Sequence, residues 1–97
     1  MAFVVIAKQK AREGEAEKVE HAVRQLAPLA RKEPESLFYQ VHCDPEDENL
    51  FVFYEQYTDE SGYKAHVASG HFQKLGFGTA IPLLESRERE FYTTLDL

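Results

Sequence analysis

The stretch SLFYQVHCDPEDENLFVFYEQY, residues 36–57, predicts two neighbouring strands joined by a turn. Successive side chains of a strand point to opposite faces. In residues 36–43 this places Leu37, Tyr39, Val41 and Cys43 on one face and Phe38, Gln40 and His42 on the other. Residues 50–57 form a second segment rich in aromatic side chains, and the acidic DPEDEN between the segments is typical of a turn. The stretch therefore predicts an antiparallel hairpin.

A strand and a helix are predicted on the N-terminal side of this hairpin. Residues 2–9 are apolar and rich in β-branched side chains, which is typical of a buried strand. Residues 15–32 carry apolar side chains at the three- and four-residue spacing of an amphipathic helix: Val19, Ala22, Val23, Leu26, Leu29 and Ala30. Pro28 lies inside this pattern. Because proline removes one helical hydrogen bond, we expect it to kink the helix or end it early.

A second helix and a last strand are predicted after the hairpin. Thr58 or Asp59 can cap the helix, in which four-residue steps join Tyr63, Val67, His71 and Leu75, with His66 beside them. The segment over residues 76–84 contains Gly76, Gly78 and Pro82, so we expect it to be loose or broken, in a conformation that the sequence does not specify. Residues 87–95 alternate again and predict a strand.

The order β-α-β-β-α-β predicts an α+β, ferredoxin-like fold, with the helices on one face of an antiparallel sheet and residues 1–97 in a single domain. The first three strands are nevertheless apolar on both faces. An apolar face that the helices leave open needs a cover, and a second copy of the chain packed sheet against sheet is an economical one. We therefore expect a homodimer in the form of a dimeric α+β barrel.

The composition is typical of a globular protein and argues against two classes of partner. The 97 residues are 43% hydrophobic and 29% charged, and the net charge is −6. Nucleic acids and anionic membranes attract basic surfaces, so neither is an expected partner. The single cysteine excludes an intramolecular disulfide. The apolar run AFVVIA is too short for a signal peptide or a membrane span, and we expect a cytoplasmic protein.

Two motifs resemble those of a known family. Residues 54–57 read YEQY, and residues 65–72 read AHVASGHF. They are similar to the Y-E-x-W/Y strand end and the A-H-x-x-S-x-H-F segment of the antibiotic biosynthesis monooxygenase family, whose members are small dimeric α+β barrel proteins. The resemblance covers nearly the whole chain and is strongest over residues 34–72. It implies the fold, the homodimer and a small-molecule pocket, but the family includes several activities.

The resemblance favours some branches of the family over others. Haem-degrading members use an asparagine, a tryptophan and a histidine where this chain has Ala7, His66 and about Gly76, so a haem function is not implied. Members that oxidise polyketide phenols use an asparagine, a tryptophan and a tyrosine that align with Phe53, Tyr57 and Tyr63, and only the tyrosine is kept. Quinol-oxidising members are similar in the histidine-containing segment.

A third branch isomerises a phosphorylated hydroxy-dione and is similar to this chain around Tyr57. Phosphate would need basic groups in the pocket, and the nearest candidates in the sequence are Lys64, Lys74, Arg87 and Arg89. The alignment alone does not place any of these four side chains inside the pocket.

The candidate site is expected between the third strand and the second helix. The resemblance implies that Phe51, Phe53, Glu55 and Tyr57 share the strand face that meets the helices. From the second helix, Tyr63, His66, Val67 and His71 would cover them. The predicted substrate-binding residues are Phe51, Phe53, Glu55, Val67 and Phe72. The result would be an aromatic cleft edged by one carboxylate and two imidazoles, which suits a small planar molecule.

Oxidation by O2 without a metal or flavin requires a substrate that loses an electron easily, such as a phenolate or quinol anion. A base that works near neutral pH is therefore needed, and histidine is the natural choice. We predict His66 or His71 as the base, and Tyr57 and Tyr63 as orienting hydrogen-bond donors. The alternative is that these histidines brace the fold, that the tyrosines edge the core and that Glu55 forms a structural ion pair.

No cofactor and no metal are expected. His66 and His71 are five residues apart, which would separate their side chains by more than one helical turn, and no third ligand is evident nearby. The sequence thus predicts a cofactor-independent monooxygenase acting with O2 on a phenol, a quinol or a related electron-rich ring. The alternatives are an isomerase of a small hydroxy-carbonyl compound and a ligand-binding member without catalysis.

Overall fold

A computed structural model describes all 97 residues. Four strands, β1 Phe3–Ala11, β2 Ser36–Asp44, β3 Asp47–Tyr57 and β4 Leu84–Thr93, form one antiparallel sheet in the order β2-β3-β1-β4. The helices are α1 Ala16–Arg31 and α2 Glu60–Ala68, followed by a π-helix over Phe72–Ala80 and a single 3₁₀ turn over Ile81–Leu83. The predicted ferredoxin-like order of elements and the antiparallel sheet are confirmed.

The predicted hairpin is formed by β2 and β3, with Tyr39 opposite Glu55 and Val41 opposite Phe53. Its turn is tighter than the acidic connection expected from the sequence, because β3 already begins at Asp47. The Asp44 carboxylate accepts hydrogen bonds from the backbone N–H groups of Glu46 and Asp47, at 2.8 and 3.2 Å. These two hydrogen bonds stabilise the turn, and the pairing of β2 with β3 continues beyond the aromatic residues to Asp44 and Asp47.

Helix α1 buries the predicted apolar stripe: Val19, Ala22, Val23, Leu26 and Ala30. The expectation that Pro28 ends the helix early is wrong, since α1 continues to Arg31. Pro28 lies on the exposed side and only one turn before the end of the helix. The lost backbone hydrogen bond therefore falls where solvent can replace it.

Helix α2 begins at the predicted cap, where the Asp59 carboxylate accepts from the Gly62 N–H at 3.3 Å. It ends at Ala68 because Ser69 takes an extended conformation. The expected loose segment over residues 76–84 is instead helical, in the π-helix and the 3₁₀ turn. Phe72, Gly76 and Ala80 are buried at four-residue steps along it, and this packing against the rest of the core outweighs the flexibility of the glycines.

The helices cover one face of the sheet. On that face, Phe51, Phe53, Glu55 and Tyr57 of β3 are all buried, as predicted. The alternation of β4 places Arg87, Arg89 and Phe91 on the same face, opposite Gln9, Ala7 and Val5 of β1. The other face carries aromatic side chains with no cover in the single chain, among them Phe38, which contacts Tyr54. No helix has both the length and the apolar character required to cross a lipid bilayer.

Candidate active site

A cleft opens between the helix-facing side of the sheet and the segment formed by α2 and the π-helix. The side chains that carry its chemistry are Glu55, Tyr63, His66, Phe72, Arg87 and Arg89. Its free space, about 440 Å³, includes a part open to solvent. Between the side chains there is room for about one water molecule. A ring-sized ligand therefore needs the side chains at the mouth to move.

Glu33 holds both candidate histidines from behind the cleft. Its Oε2 lies 2.8 Å from Nδ1 of His66 and 2.5 Å from Nε2 of His71. A carboxylate oxygen accepts hydrogen bonds, so each of these ring nitrogens donates its proton to Glu33. In neutral His66 the proton is then on Nδ1, and Nε2 is left unprotonated. Glu33 thus fixes both the orientation and the tautomer of the His66 ring.

The free nitrogen of His66 faces a second carboxyl group. His66 Nε2 lies 4.0 Å from Oε1 of Glu55, and the same oxygen accepts a hydrogen bond of 2.5 Å from the hydroxyl of Tyr57. His66 and Glu55 are 2% and 5% exposed. His66 and Glu55, which can each take up and release a proton, therefore lie side by side in the protein interior, and the Tyr57 hydroxyl holds Glu55 in place.

Burial drives both of these groups toward their uncharged forms. Burial raises the pKa of Glu55 to about 7, although the hydrogen bond from Tyr57 opposes this rise. Burial likewise lowers the pKa of His66 below its usual 6.5, against the hydrogen bond with Glu33 and the charge of that carboxylate. Tyr57 stays protonated, since burial and the Glu55 charge raise its pKa. At neutral pH the site thus holds a neutral imidazole beside a carboxyl group near its midpoint.

Tyr63 and two arginines border the cleft on its other side. Arg89 Nη1 donates to the Tyr63 hydroxyl oxygen at 3.0 Å, so the Tyr63 proton remains free to be donated elsewhere. The Arg87 guanidinium lies over the Phe77 ring at 5.7 Å, and that of Arg89 over the Phe91 ring at 5.6 Å. These arginines are the two sequence candidates that the fold brings to the cleft.

The structure brings five of the nine predicted site residues to the cleft wall: Phe53, Glu55, Tyr63, His66 and Phe72. The other four are not among its lining residues. His71 reaches the site only through Glu33, and Tyr57 reaches it only through Glu55. Phe51 belongs to the hydrophobic core, and Val67 is partly exposed on α2.

Glu33 is the functional candidate that the sequence interpretation missed, because it falls between the predicted helix over residues 15–32 and the strand that begins at residue 36. One local signal could have found it. Glu33 comes just after α1, which ends at Arg31, and a negative charge near a helix C-terminus is unfavourable. Its side chain is only 12% exposed. A largely buried carboxylate at a helix end where the dipole disfavours negative charge is expected to have a specific hydrogen-bond partner.

The expectation that the two histidines lack a third ligand is wrong. Donor atoms of Glu33, His66 and His71 all lie within 4.8 Å of one another, because the break at Ser69 lets residues on either side of it turn toward Glu33. Two imidazoles and a carboxylate are a set that zinc or iron can accept. The present oxygen–nitrogen separations are those of hydrogen bonds. The use of no metal stays a prediction.

Comparison with known proteins places the chain in a family. The model of the family described as antibiotic biosynthesis monooxygenase matches residues 2–75. The crystal structure of PA3566 from Pseudomonas aeruginosa is 30% identical in sequence, with a TM-score of 0.88 and coverage of 98% of this chain and 95% of that one. For SO0527 from Shewanella oneidensis the identity is 26%, the TM-score 0.88 and the coverage 96% and 90%.

A crystal structure described as an antibiotic biosynthesis monooxygenase shares the fold, with a TM-score of 0.90 at 24% identity and coverage of 97% of this chain and 99% of that one. No curated protein matches the sequence. Since the family model spans most of the chain and the similarity in fold extends over nearly all of it, this protein belongs to the antibiotic biosynthesis monooxygenase family.

Proposed function

We propose that this protein is a cofactor-independent monooxygenase that oxidises a small phenol, quinol or related electron-rich ring with O2. The observation that carries the proposal is the pair of contacts around His66. Glu33 binds one ring nitrogen at 2.8 Å, while the other is unprotonated and lies on the cleft side, 4.0 Å from Glu55. A buried neutral imidazole held in one tautomer is the base that this reaction requires.

His66 is favoured over His71 as the base, because His66 lines the cleft whereas His71 reaches it only through Glu33. In the proposed reaction the substrate hydroxyl loses its proton to Nε2 of His66. The Tyr63 hydroxyl donates a hydrogen bond to the resulting oxyanion, and the guanidinium groups nearby favour its negative charge. Tyr57 holds Glu55, and His71 holds Glu33. Phe53 and Phe72 supply apolar walls for the ring.

The anion then transfers one electron to O2, which gives a ring radical and superoxide. Their recombination forms a carbon–oxygen bond, and the ring hydroperoxide loses water to leave a quinone. One atom of O2 remains in the product and the other leaves in water, so a phenol gives a quinone without an external reductant. Where Phe53 and Phe72 exclude water from the ring, hydration stabilises the anion less and the anion gives up its electron more readily.

A homodimer and a cytoplasmic location belong to the same proposal. The sheet face without helices carries Phe38, half exposed, and Tyr54 in contact with it. A second copy packed on this face would bury such side chains. The cytoplasmic location, inferred from the sequence, stays a prediction.

An isomerase of a small hydroxy-carbonyl compound is the second candidate. The observation in its favour is Glu55, whose pKa is raised by burial to about 7 and which lies 4.0 Å from His66 Nε2. A carboxyl group near its midpoint and a neutral imidazole beside it can remove a proton on one side of a carbonyl and return it on the other. This reaction consumes no O2.

The test measures O2 uptake by chelator-treated protein with a panel of small phenols and quinols, including hydroquinone. We expect turnover without added flavin or metal, and incorporation of one labelled oxygen atom from isotopically labelled O2 into the product. His66→Asn should lower kcat about a hundredfold or more, since asparagine can still donate to Glu33 but offers no base. His21→Asn is the matched control, because His21 lies exposed on α1.

Three results would contradict this proposal. Full turnover by His66→Asn would show that this imidazole is not the base. Conversion of a hydroxy-carbonyl substrate at the same rate under nitrogen would favour the isomerase. Binding of the probes that raises the melting temperature without any conversion would instead favour a member that binds its ligand and has no catalysis.

A further inference from the structure

Two arginines of the edge strand β4 lie on the side of the sheet that faces the helices, Arg87 partly buried and Arg89 exposed. Arg87 lies opposite Gln9 and Arg89 opposite Ala7 in the β1–β4 ladder, and both line the cleft. The glutamates that alternate with them, Glu88 and Glu90, point to the other face of the sheet. The alternation of this strand therefore separates its charges, with the cations on the cleft side and the anions away from it.

Neither arginine is paired with a carboxylate. The chain has 17 acidic residues, yet none has an oxygen within 4.0 Å of either guanidinium. Arg89 donates only to Tyr63, while Nε of Arg87 is shielded from solvent and has no hydrogen-bond partner. A shielded N–H without an acceptor is rare in folded proteins and costs free energy.

The two cations also disfavour each other. Burial and then the charge of Arg89 lower the pKa of Arg87. Glu55 is the carboxyl group whose charge acts on Arg87, and both arginines act in turn on the pKa of Glu55. Glu55 accepts no hydrogen bond from Arg87 or Arg89. Its pKa of about 7 also means that a large part of it is uncharged at neutral pH. The arginines are therefore left with donors that no group of the chain satisfies.

We infer that Arg87 and Arg89 form a subsite for an oxyanionic group of the substrate, a carboxylate or a phosphoryl group. Guanidinium groups present planar pairs of N–H donors that match such oxyanions. The anion would accept from Nε of Arg87 and from Arg89, while the ring or carbonyl part reaches toward His66. That the bound molecule is a substrate rests on the proposed function, whereas the anion subsite itself does not.

Binding under anaerobic conditions tests the subsite apart from turnover. Isothermal titration calorimetry of the full chain compares hydroquinone with dihydroxybenzoate, which adds one carboxylate to the same ring, and phenol with phenyl phosphate. We expect one of the anionic probes to bind at least about tenfold more tightly than its neutral partner, since hydrogen bonds to charged groups are strong. The pair that shows this preference identifies the carboxylate or the phosphoryl group.

Arg87→Gln and Arg89→Gln should each lower the affinity for the anionic probe by a larger factor than the affinity for the neutral probe, so that the preference for the anion falls. Arg87→Lys should keep only part of the preference for the anionic probe, because lysine keeps the charge and loses the planar donors. Arg24→Gln is the control, since Arg24 lies on α1 and pairs with Glu20. Circular dichroism of each variant confirms folding.

The subsite is overturned if neutral and anionic probes bind equally, if no anionic probe binds to the folded protein, or if the preference survives in the Arg87→Gln, Arg89→Gln double variant. A retained preference together with no O2 uptake would overturn the monooxygenase and leave the subsite standing. Turnover of hydroquinone without a preference for anionic probes would overturn the subsite and leave the monooxygenase standing.

Discussion

At the level of single residues, burial acts on Glu55 and His66 in the same sense. It raises the pKa of the carboxyl group to about 7 and lowers that of the imidazole, so both become less charged than they would be in water. Their separation of 4.0 Å then makes the proton on one depend on the state of the other. The cost of ionising Glu55 inside the protein also has a consequence for stability.

The pKa of Glu55 is higher in the folded chain than its ordinary value of 4.5. Between these two values the folded state keeps a proton that the unfolded state has lost, so the contribution of Glu55 to stability is present at low pH and is lost as pH rises to about 7. Glu55→Gln removes this titration. We expect its free energy of unfolding, relative to the original protein, to rise with pH and to reach a plateau above pH 7 that is up to about 3 kcal/mol higher.

Urea unfolding of both proteins at a series of pH values measures this difference. The lowered pKa of His66 reduces the stability of both proteins as pH falls below the value of the unfolded chain, so this contribution is common to the two curves apart from the coupling between His66 and Glu55. Glu17→Gln, an exposed change on α1, is the control. A difference that does not depend on pH would show that Glu55 ionises in the fold as it does in water.

At the level of elements, the site depends on how closely α2 approaches β3. Gly62 lies in the first turn of α2, and a Cβ built on it would lie 2.7 Å from Cβ of Glu35 and 3.2 Å from Cβ of Tyr57. The missing side chain therefore lets the helix sit directly over Tyr57. Four residues later, about one turn along the same helix, His66 is brought above Glu55.

Gly62→Ala should push α2 away from the sheet. Because the contacts would be with Cβ atoms, which cannot turn aside, we expect a loss of about 1–3 kcal/mol in the free energy of unfolding. Gly70→Ala is the matched control, since a Cβ there meets nothing within 4 Å, and we expect it to change stability by less than about 0.5 kcal/mol. Equal stability of the two variants would mean that the close approach is not needed.

At the level of the whole molecule, the sheet has one face covered by helices and one without a cover. Phe38, on the second face, is 50% exposed. The proposed homodimer would bury it against the same face of another copy. In a two-fold symmetric interface of this kind both copies carry each substitution. One introduced charge therefore places two charges in the interface and has a large effect.

Phe38→Glu should convert the dimer into a monomer, because each copy would have to bury a carboxylate without a partner in the interface. Sedimentation equilibrium of the original protein and the variant measures the change. Leu29→Glu is the control, since Leu29 is also an exposed apolar residue, at 40%, but lies on α1. A single-chain mass for the original protein over a wide range of concentrations would contradict the proposal.

The sequence by itself determined the order of the elements, the hairpin of β2 and β3, and the side of β3 that carries Phe53 and Glu55. These follow from the two-residue alternation of strands and from turn-forming residues, which act over short distances along the chain. The helical path of residues 76–83 was not predicted, because glycines are flexible until burial outweighs that freedom.

Only the tertiary structure decided which groups meet at the cleft. Glu33 reaches His66 across 33 positions of sequence, and Arg89 reaches Tyr63 across 26. No periodicity links residues so far apart, since their contact depends on how α1, α2 and β4 pack around the sheet. The same packing removes water from Glu55 and His66, and the loss of that water, rather than the residue types, sets the protonation states on which the proposed chemistry relies.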